Sequence, residues 1–128
     1  MLIMKYGTIR ENHLYSKAYQ KGKKCAAHNV VIYVLPDYAA ARLAKANPTH
    51  ERINRIGITV TKKLGGAVVR NRAKRVIREG YRLCTAEHPI RRGFLIIIVA
   101  RSQILRAKTQ DIQKDLFYAF KTLGMLTK

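Results

Sequence analysis

Apolar residues along this chain change their period from segment to segment, and each period predicts an element. Residues 29–35, "NVVIYVL", form a β-branched run closed by Pro36 and Asp37, which predicts a strand. In "NRIGITVT", residues 54–61, Ile56, Ile58 and Val60 alternate with Arg55, Gly57, Thr59 and Thr61, the period-two pattern of a half-buried strand. Residues 93–100, "GFLIIIVA", are apolar without alternation, as expected of a central strand covered on both faces. Helical spacing governs two other stretches. Residues 8–21 predict a first helix, with Thr8 or Asn12 as its cap and Gly22 as its stop. Residues 109–123 predict a last helix, with Ile112, Leu116, Ala119, Phe120 and Leu123 on one side. Between the first two strands, the alanines of "DYAAARLAKANPTHER" tolerate a short helix, but Asn47 and Pro48 interrupt it, so a long and mostly exposed connection is expected.

The segment "RNRAKRVIRE", residues 70–79, follows the turn "KKLGG" and combines both kinds of residue. At ~100° per residue, Ala73, Val76, Ile77, Gly80 and Cys84 fall in one stripe, and Asn71, Lys74, Arg75, Arg78 and Arg82 fall opposite. The stripe anchors a helix and the polar row faces outward. Gly80 costs up to ~1 kcal/mol of helix stability relative to alanine, which predicts close backbone contact with the sheet. Arg70 and Arg72 flank the row near the helix start, where the dipole favours anions by ~0.3–1 kcal/mol. A phosphate bound there would satisfy both the dipole and the guanidinium groups.

The resulting order is helix, strand, strand, helix, strand, helix. It implies an α/β (α+β) two-layer arrangement, with a single mixed sheet packed by helices in one domain spanning residues 1–128. Charge then narrows the function. With 26 Lys and Arg against seven Asp and Glu, the net charge is +19, a self-repulsion that points to a polyanionic partner, nucleic acid first. An anionic membrane surface ranks lower, because no run approaches the ~20 apolar residues of a span and the helical stripe lacks bulky aromatics. "MLIM" is too short for a signal-peptide core, so a soluble, cytoplasmic protein is expected. Cys25 and Cys84 form no C-x-x-C pair and read as packing residues; the four histidines lack ligand spacing, so no protein-held metal is expected.

Residues 55–83, "RIGITVTKKLGGAVVRNRAKRVIREGYRL", resemble the signature of the bacterial ribonuclease P protein subunit. The resemblance rests on a strand ending at Lys62 and Lys63, Gly65 in the turn, Ala67 and Val68, then Arg70, Asn71, Lys74, Arg75 and Arg78 on a helix. It extends to the first helix and to "FLIIIVAR". It implies a left-handed crossover through strand, basic helix and strand, although the usual preference is right-handed. It also implies one protein per catalytic RNA, in a complex that cuts the 5′ leader from precursor tRNA, with the chemistry done by the RNA and its magnesium ions. The basic helix and the Lys pair (Lys62, Lys63, Arg70, Asn71, Arg72, Lys74, Arg75, Arg78 and Arg82) would bind the catalytic RNA, and a cleft would hold the single-stranded leader.

Single strands are held by aromatic faces beside cations. Tyr15 and Tyr19, four apart on one helix, occupy positions where the family usually has phenylalanine, and Tyr33 stands where it has tyrosine. Lys23 is the expected cation of this cleft. Val30 stands where the family often places an aromatic, and the connection from residue 36 to 54 exceeds the family's usual loop. Glu11, Asp37, Glu51, Glu79, Glu87, Asp111 and Asp115 make no two-metal cluster in sequence; Asp111 and Asp115 are expected to serve the helix dipole or to pair with Lys108 and Lys114. Four scattered histidines leave an acid–base nuclease built on a histidine pair as a remote alternative, and no catalytic residue is expected in this chain. The rival reading is a structural RNA-binding protein of the ribosomal type, which composition alone does not separate from the first.

Overall fold

The computed structural model describes residues 5–46 and 50–127; the "MLIM" start and the interruption expected at Asn47 and Pro48 lie outside the described residues. In chain order the elements are β1 (Tyr6–Thr8), α1 (Asn12–Lys21), β2 (Lys23–Ala26), β3 (Val30–Pro36), α2 (Ala40–Ala46) and β4 (Asn54–Thr59). A 3-10 turn (Lys62–Leu64) leads into α3 (Ala67–Glu87), which is followed by β5 (Phe94–Ala100), a second 3-10 turn (Ser102–Arg106) and α4 (Thr109–Thr122).

The expected mixed sheet has five strands in the order β1-β4-β5-β3-β2. β1 and β4, and β4 and β5, pair parallel; β5 with β3 and β3 with β2 pair antiparallel. β5 is central, as its unbroken apolar run predicts, and Ile96, Ile97 and Ile98 have no exposed surface. β4 and β5 lie side by side in parallel and are joined through α3, the unit to which the crossover expectation refers.

Alternation divides the sheet's two faces. Ile32, Val34, Ile56, Ile96 and Ile98 pack beneath α3 and α4 in the larger core, while Leu35, Leu95 and Ile97 pack beneath Ala18 of α1. The helices therefore form one full layer and cover part of the opposite face, leaving the rest of that face for the site described below.

Several expectations change. The first helix begins at Asn12 rather than residue 8, because Thr8 belongs to β1; Glu11 is the N-cap and no side chain caps the helix. β1 and β2 are short edge strands, one flanking α1 on each side, without the apolar alternation that would betray them. The long connection is mostly exposed, as expected, but it carries a short helix with a buried side. Asp37 is buried and accepts from the Ala39 N–H at 3.0 Å, so it starts α2, which buries Ala40 and Ala44. Gly80 makes its close approach to α4 and not to the sheet: a Cβ there would lie 2.7 Å from Ile112 Cγ2. The stripe on α3 is thus largely a helix–helix seam, closed by Tyr81, whose ring meets Phe120 edge-on at 6.2 Å.

Candidate nucleic-acid interface

Strand register places Lys24, Tyr33, Ile97 and Gly57 in one row across β2, β3, β5 and β4, with Ala26, Val31, Val99 and Thr59 in the next. α1 lies over these rows and lowers two rings onto them. Tyr19 meets Tyr33 edge-on at 4.9 Å and Tyr15 at 6.5 Å, and its hydroxyl lies 3.3 Å from Thr59 Oγ1. The three predicted tyrosines therefore come together, Tyr19 being the most open at 41% exposed. Gly57 makes room for this: a Cβ would stand 2.5 Å from the Tyr15 hydroxyl oxygen, so only a bare backbone lets the ring settle on β4. Burial, and secondarily Tyr19, pushes the Tyr15 phenol above its ordinary range, so it remains a neutral donor.

The cation beside Tyr33 is Lys24, not the predicted Lys23. Successive side chains of a strand point to opposite faces, and Lys23 shares the face of buried Cys25. Alternation likewise removes Val30, which is fully buried in the α3–α4 core, from the tyrosine face; Val31 stands on that face instead.

Arg55, read from the sequence only as the polar partner in an alternation, holds this face in place. Its Nε and Nη2 donate to the two oxygens of Asp37 at 2.7 and 3.0 Å, and its Nη1 donates to Glu11 at 2.8 Å. These bonds, the Asp37 contact first, raise the guanidinium above its ordinary range against the opposing effect of burial. One side chain thus ties the start of α1 and the end of β3 to β4.

The basic helix presents its cations unevenly. Asn71, Arg75 and Arg78 are exposed on α3, as are Lys62 and Lys63 in the preceding turn. Lys74 is half-buried, and so is Arg70, whose Nε is buried with no hydrogen-bond partner among the described residues. Arg72 reaches back to donate to the Ala107 carbonyl at 3.1 Å, tethering α3 to the chain before α4. Arg82 is paired with Glu79, whose carboxyl its hydrogen bonds hold below the usual range. Lys74 and Arg78, one turn apart, line a cavity of about 130 Å³ together with Tyr15, Tyr6, Thr8 and Gly57. There the basic helix and the tyrosine face meet.

All seven carboxylates have structural partners. Glu11 and Asp37 hold Arg55, Glu79 holds Arg82, Glu51 lies 3.8 Å from Arg92, and Glu87 lies 3.9 Å from His88. Asp111 accepts from the Lys108 backbone N–H at 2.8 Å, and Asp115 accepts from Asn29 rather than from Lys114. Among the described residues no three His, Cys, Asp or Glu side chains converge as metal ligands would.

Residues 3–124 match the family model described as Ribonuclease P. The Ribonuclease P protein component of Clostridium acetobutylicum is 34% identical over 96% of this chain and 93% of its own length. A solved Staphylococcus aureus RNase P protein, a mutant with defective mRNA degradation activity, superposes with TM-score 0.72 at 30% identity, covering 92% of this chain and 88% of that one. The Thermotoga maritima RNase P protein shares the fold, with TM-score 0.65 at 23% identity over 87% of this chain and 92% of that one.

Proposed function

The chain belongs to the ribonuclease P protein family, and from that premise we propose that it binds a catalytic RNA through α3 and the 5′ leader of precursor tRNA across the tyrosine face. The observation that carries this reading is the meeting of the two surfaces: Tyr15 stands on one side of a small cavity, with Lys74 and Arg78 on the other. A strand lying on the tyrosines would run beside a helix whose outward cations suit a folded RNA. The exposed row of Asn71, Arg75 and Arg78, extended by Lys62 and Lys63, faces that RNA, while phosphate at the start of α3 gains the helix dipole and Arg70.

The chemistry belongs to the RNA and the magnesium ions it holds. Glu11, Asp37, Glu79, Asp111 and Asp115 are each engaged in a structural hydrogen bond or ion pair, and among the described residues no three His, Cys, Asp or Glu side chains converge, which supports leaving the chemistry to the RNA. Its part is affinity and positioning: the cations offset repulsion between two RNAs, and the tyrosines favour the leader-bearing precursor over the leaderless product. The setting for this work is the cytoplasm, one protein to each RNA.

The test is reconstitution. Protein, a bacterial ribonuclease P-type RNA and precursor tRNA are combined at low magnesium, and the cut end is mapped. Correct 5′ cleavage that needs the RNA and is stimulated by the protein supports the reading; cleavage by the protein alone, or no stimulation of a competent RNA, overturns it. Tyr19→Ala is expected to weaken precursor binding by ~1–3 kcal/mol, the contribution of a stacked base, and to leave mature tRNA binding unchanged.

A further inference from the structure

Lys23, displaced from the tyrosine face by the pleat, lines a separate groove of about 600 Å³ at the end of the sheet, within the ~300–1,000 Å³ range of sites that enclose organic ligands. Lys17, Lys21, Lys23 and Arg91 stand around it, with Tyr38 and Phe94 in its walls and Leu35, Pro36 and Met125 in its floor. Among the described residues no carboxylate lines it. Its aromatic rings already carry cations: Lys17 Nζ lies 4.6 Å from the Tyr38 centroid, and the Arg91 guanidinium lies 5.3 Å from that of Phe94. Arg91 is also preorganised. Its N–H donates to the Met125 carbonyl at 2.8 Å, and its carbonyl accepts from Asn54 Nδ2 at 3.0 Å, so the backbone is fixed while the side chain remains exposed. Tyr38, 78% exposed, is the most open aromatic among the described residues and sits in the long connection that includes α2.

Aromatic faces with unpaired cations and an apolar floor are the chemistry that holds unstacked nucleotides. Edge strand β2 links this groove to the tyrosine face, because alternation sets Lys24 beside Tyr33 on one side and Lys23 in the groove on the other, and Lys21 at the end of α1 lines the groove as well. A strand leaving Tyr19 and Tyr33 past Lys24 and around β2 would thus meet Lys23 and Lys21 next. We propose that this groove is a second leader subsite, which takes unpaired nucleotides 5′ of those on the tyrosines, their bases against Tyr38 and Phe94 and their phosphates on Lys21, Lys23 and Arg91. The inference rests on the leader reading above and adds a dependence on leader length.

The experiment measures binding of the reconstituted holoenzyme to mature tRNA, to a precursor whose leader ends at the tyrosines, and to one extended by several nucleotides. The proteins are wild type, Tyr38→Ala and the double variant Lys21→Gln/Arg91→Gln, all exposed positions, with thermal unfolding confirming the fold. The extended leader is expected to bind wild type roughly tenfold more tightly than the short one, an advantage that each variant reduces severalfold while short-leader binding is unchanged. An extension that adds nothing in wild type, or an advantage that survives in both variants, overturns the groove proposal. Equal losses on short and extended leaders also overturn it, by assigning the groove to the catalytic RNA. If wild type does not prefer even the short-leader precursor over mature tRNA, the leader reading itself has failed; if that preference stands and only the extension is silent, the groove alone has failed.

Discussion

Arg55 shows how much of the interface depends on one side chain. Its fork spans two carboxylates from different elements, and Asp37 has almost no solvent to turn to when the guanidinium is removed. Arg55→Met is therefore expected to cost ~3–5 kcal/mol in urea unfolding at neutral pH, most of it the penalty of a buried unpaired carboxylate. Arg55→Lys should recover only part, since one ammonium cannot supply both forks. Cys84 gives a prediction of different sign. Burial, with a smaller push from Glu87, raises its thiol to about 12 from an ordinary 9.0. Below the unfolded value the thiol is protonated in both states; as pH rises further, the unfolded chain loses that proton first and the folded state loses stability up to about 12. Between pH ~8 and ~10.5 wild type should lose about 2 kcal/mol more than Cys84→Ala in paired urea titrations. Both cysteines are buried and free, as packing residues should be.

At the scale of elements, α3 has two apolar neighbours and one polar outlook. The stripe of Ala73, Ile77, Gly80 and Cys84 was legible from spacing alone, but its partner was not, since periodicity says which face is buried and not what covers it. That partner is largely α4. Gly80→Ala should raise intrinsic helix propensity by up to ~1 kcal/mol yet lower overall stability by ~1–3 kcal/mol, because the new Cβ meets Ile112 Cγ2 at 2.7 Å; thermal unfolding of Gly80→Ala made in wild type and in an Ile112→Ala background, which removes Cγ2 and relieves the clash in part, checks this, the loss being smaller in the second. The edge strands β1 and β2 were missed for a related reason. Strands of three and four residues carry too few side chains to show a period, and the sheet recruits them by backbone pairing.

For the whole molecule, charge is the dominant quantity. Among the described residues only Arg55, Arg82 and Arg92 of the Lys and Arg side chains reach a carboxylate, so most of the cations behind the net +19 are free of internal ion pairs. On the proposed reading, affinity for the catalytic RNA should fall steeply with salt, and replacing an exposed cation of α3 such as Arg75 or Arg78 with glutamine should lower the log–log slope by about 1. Arg82→Gln should change it less, because Glu79 already neutralises that cation. Binding isotherms across a salt series decide both. The sequence by itself determined the periodic elements, the central strand, the basic helix and the family, because period, composition and motif are properties of neighbouring residues. Only the tertiary structure decided which of Lys23 and Lys24 stands beside Tyr33, that Arg55 is buried between two acids, that Gly57 gives Tyr15 its place, and that a second basic groove opens at the sheet's end. Each of these depends on strand register and on contacts between residues far apart in the chain, and a one-residue shift of register would move every side chain of a strand to the other face.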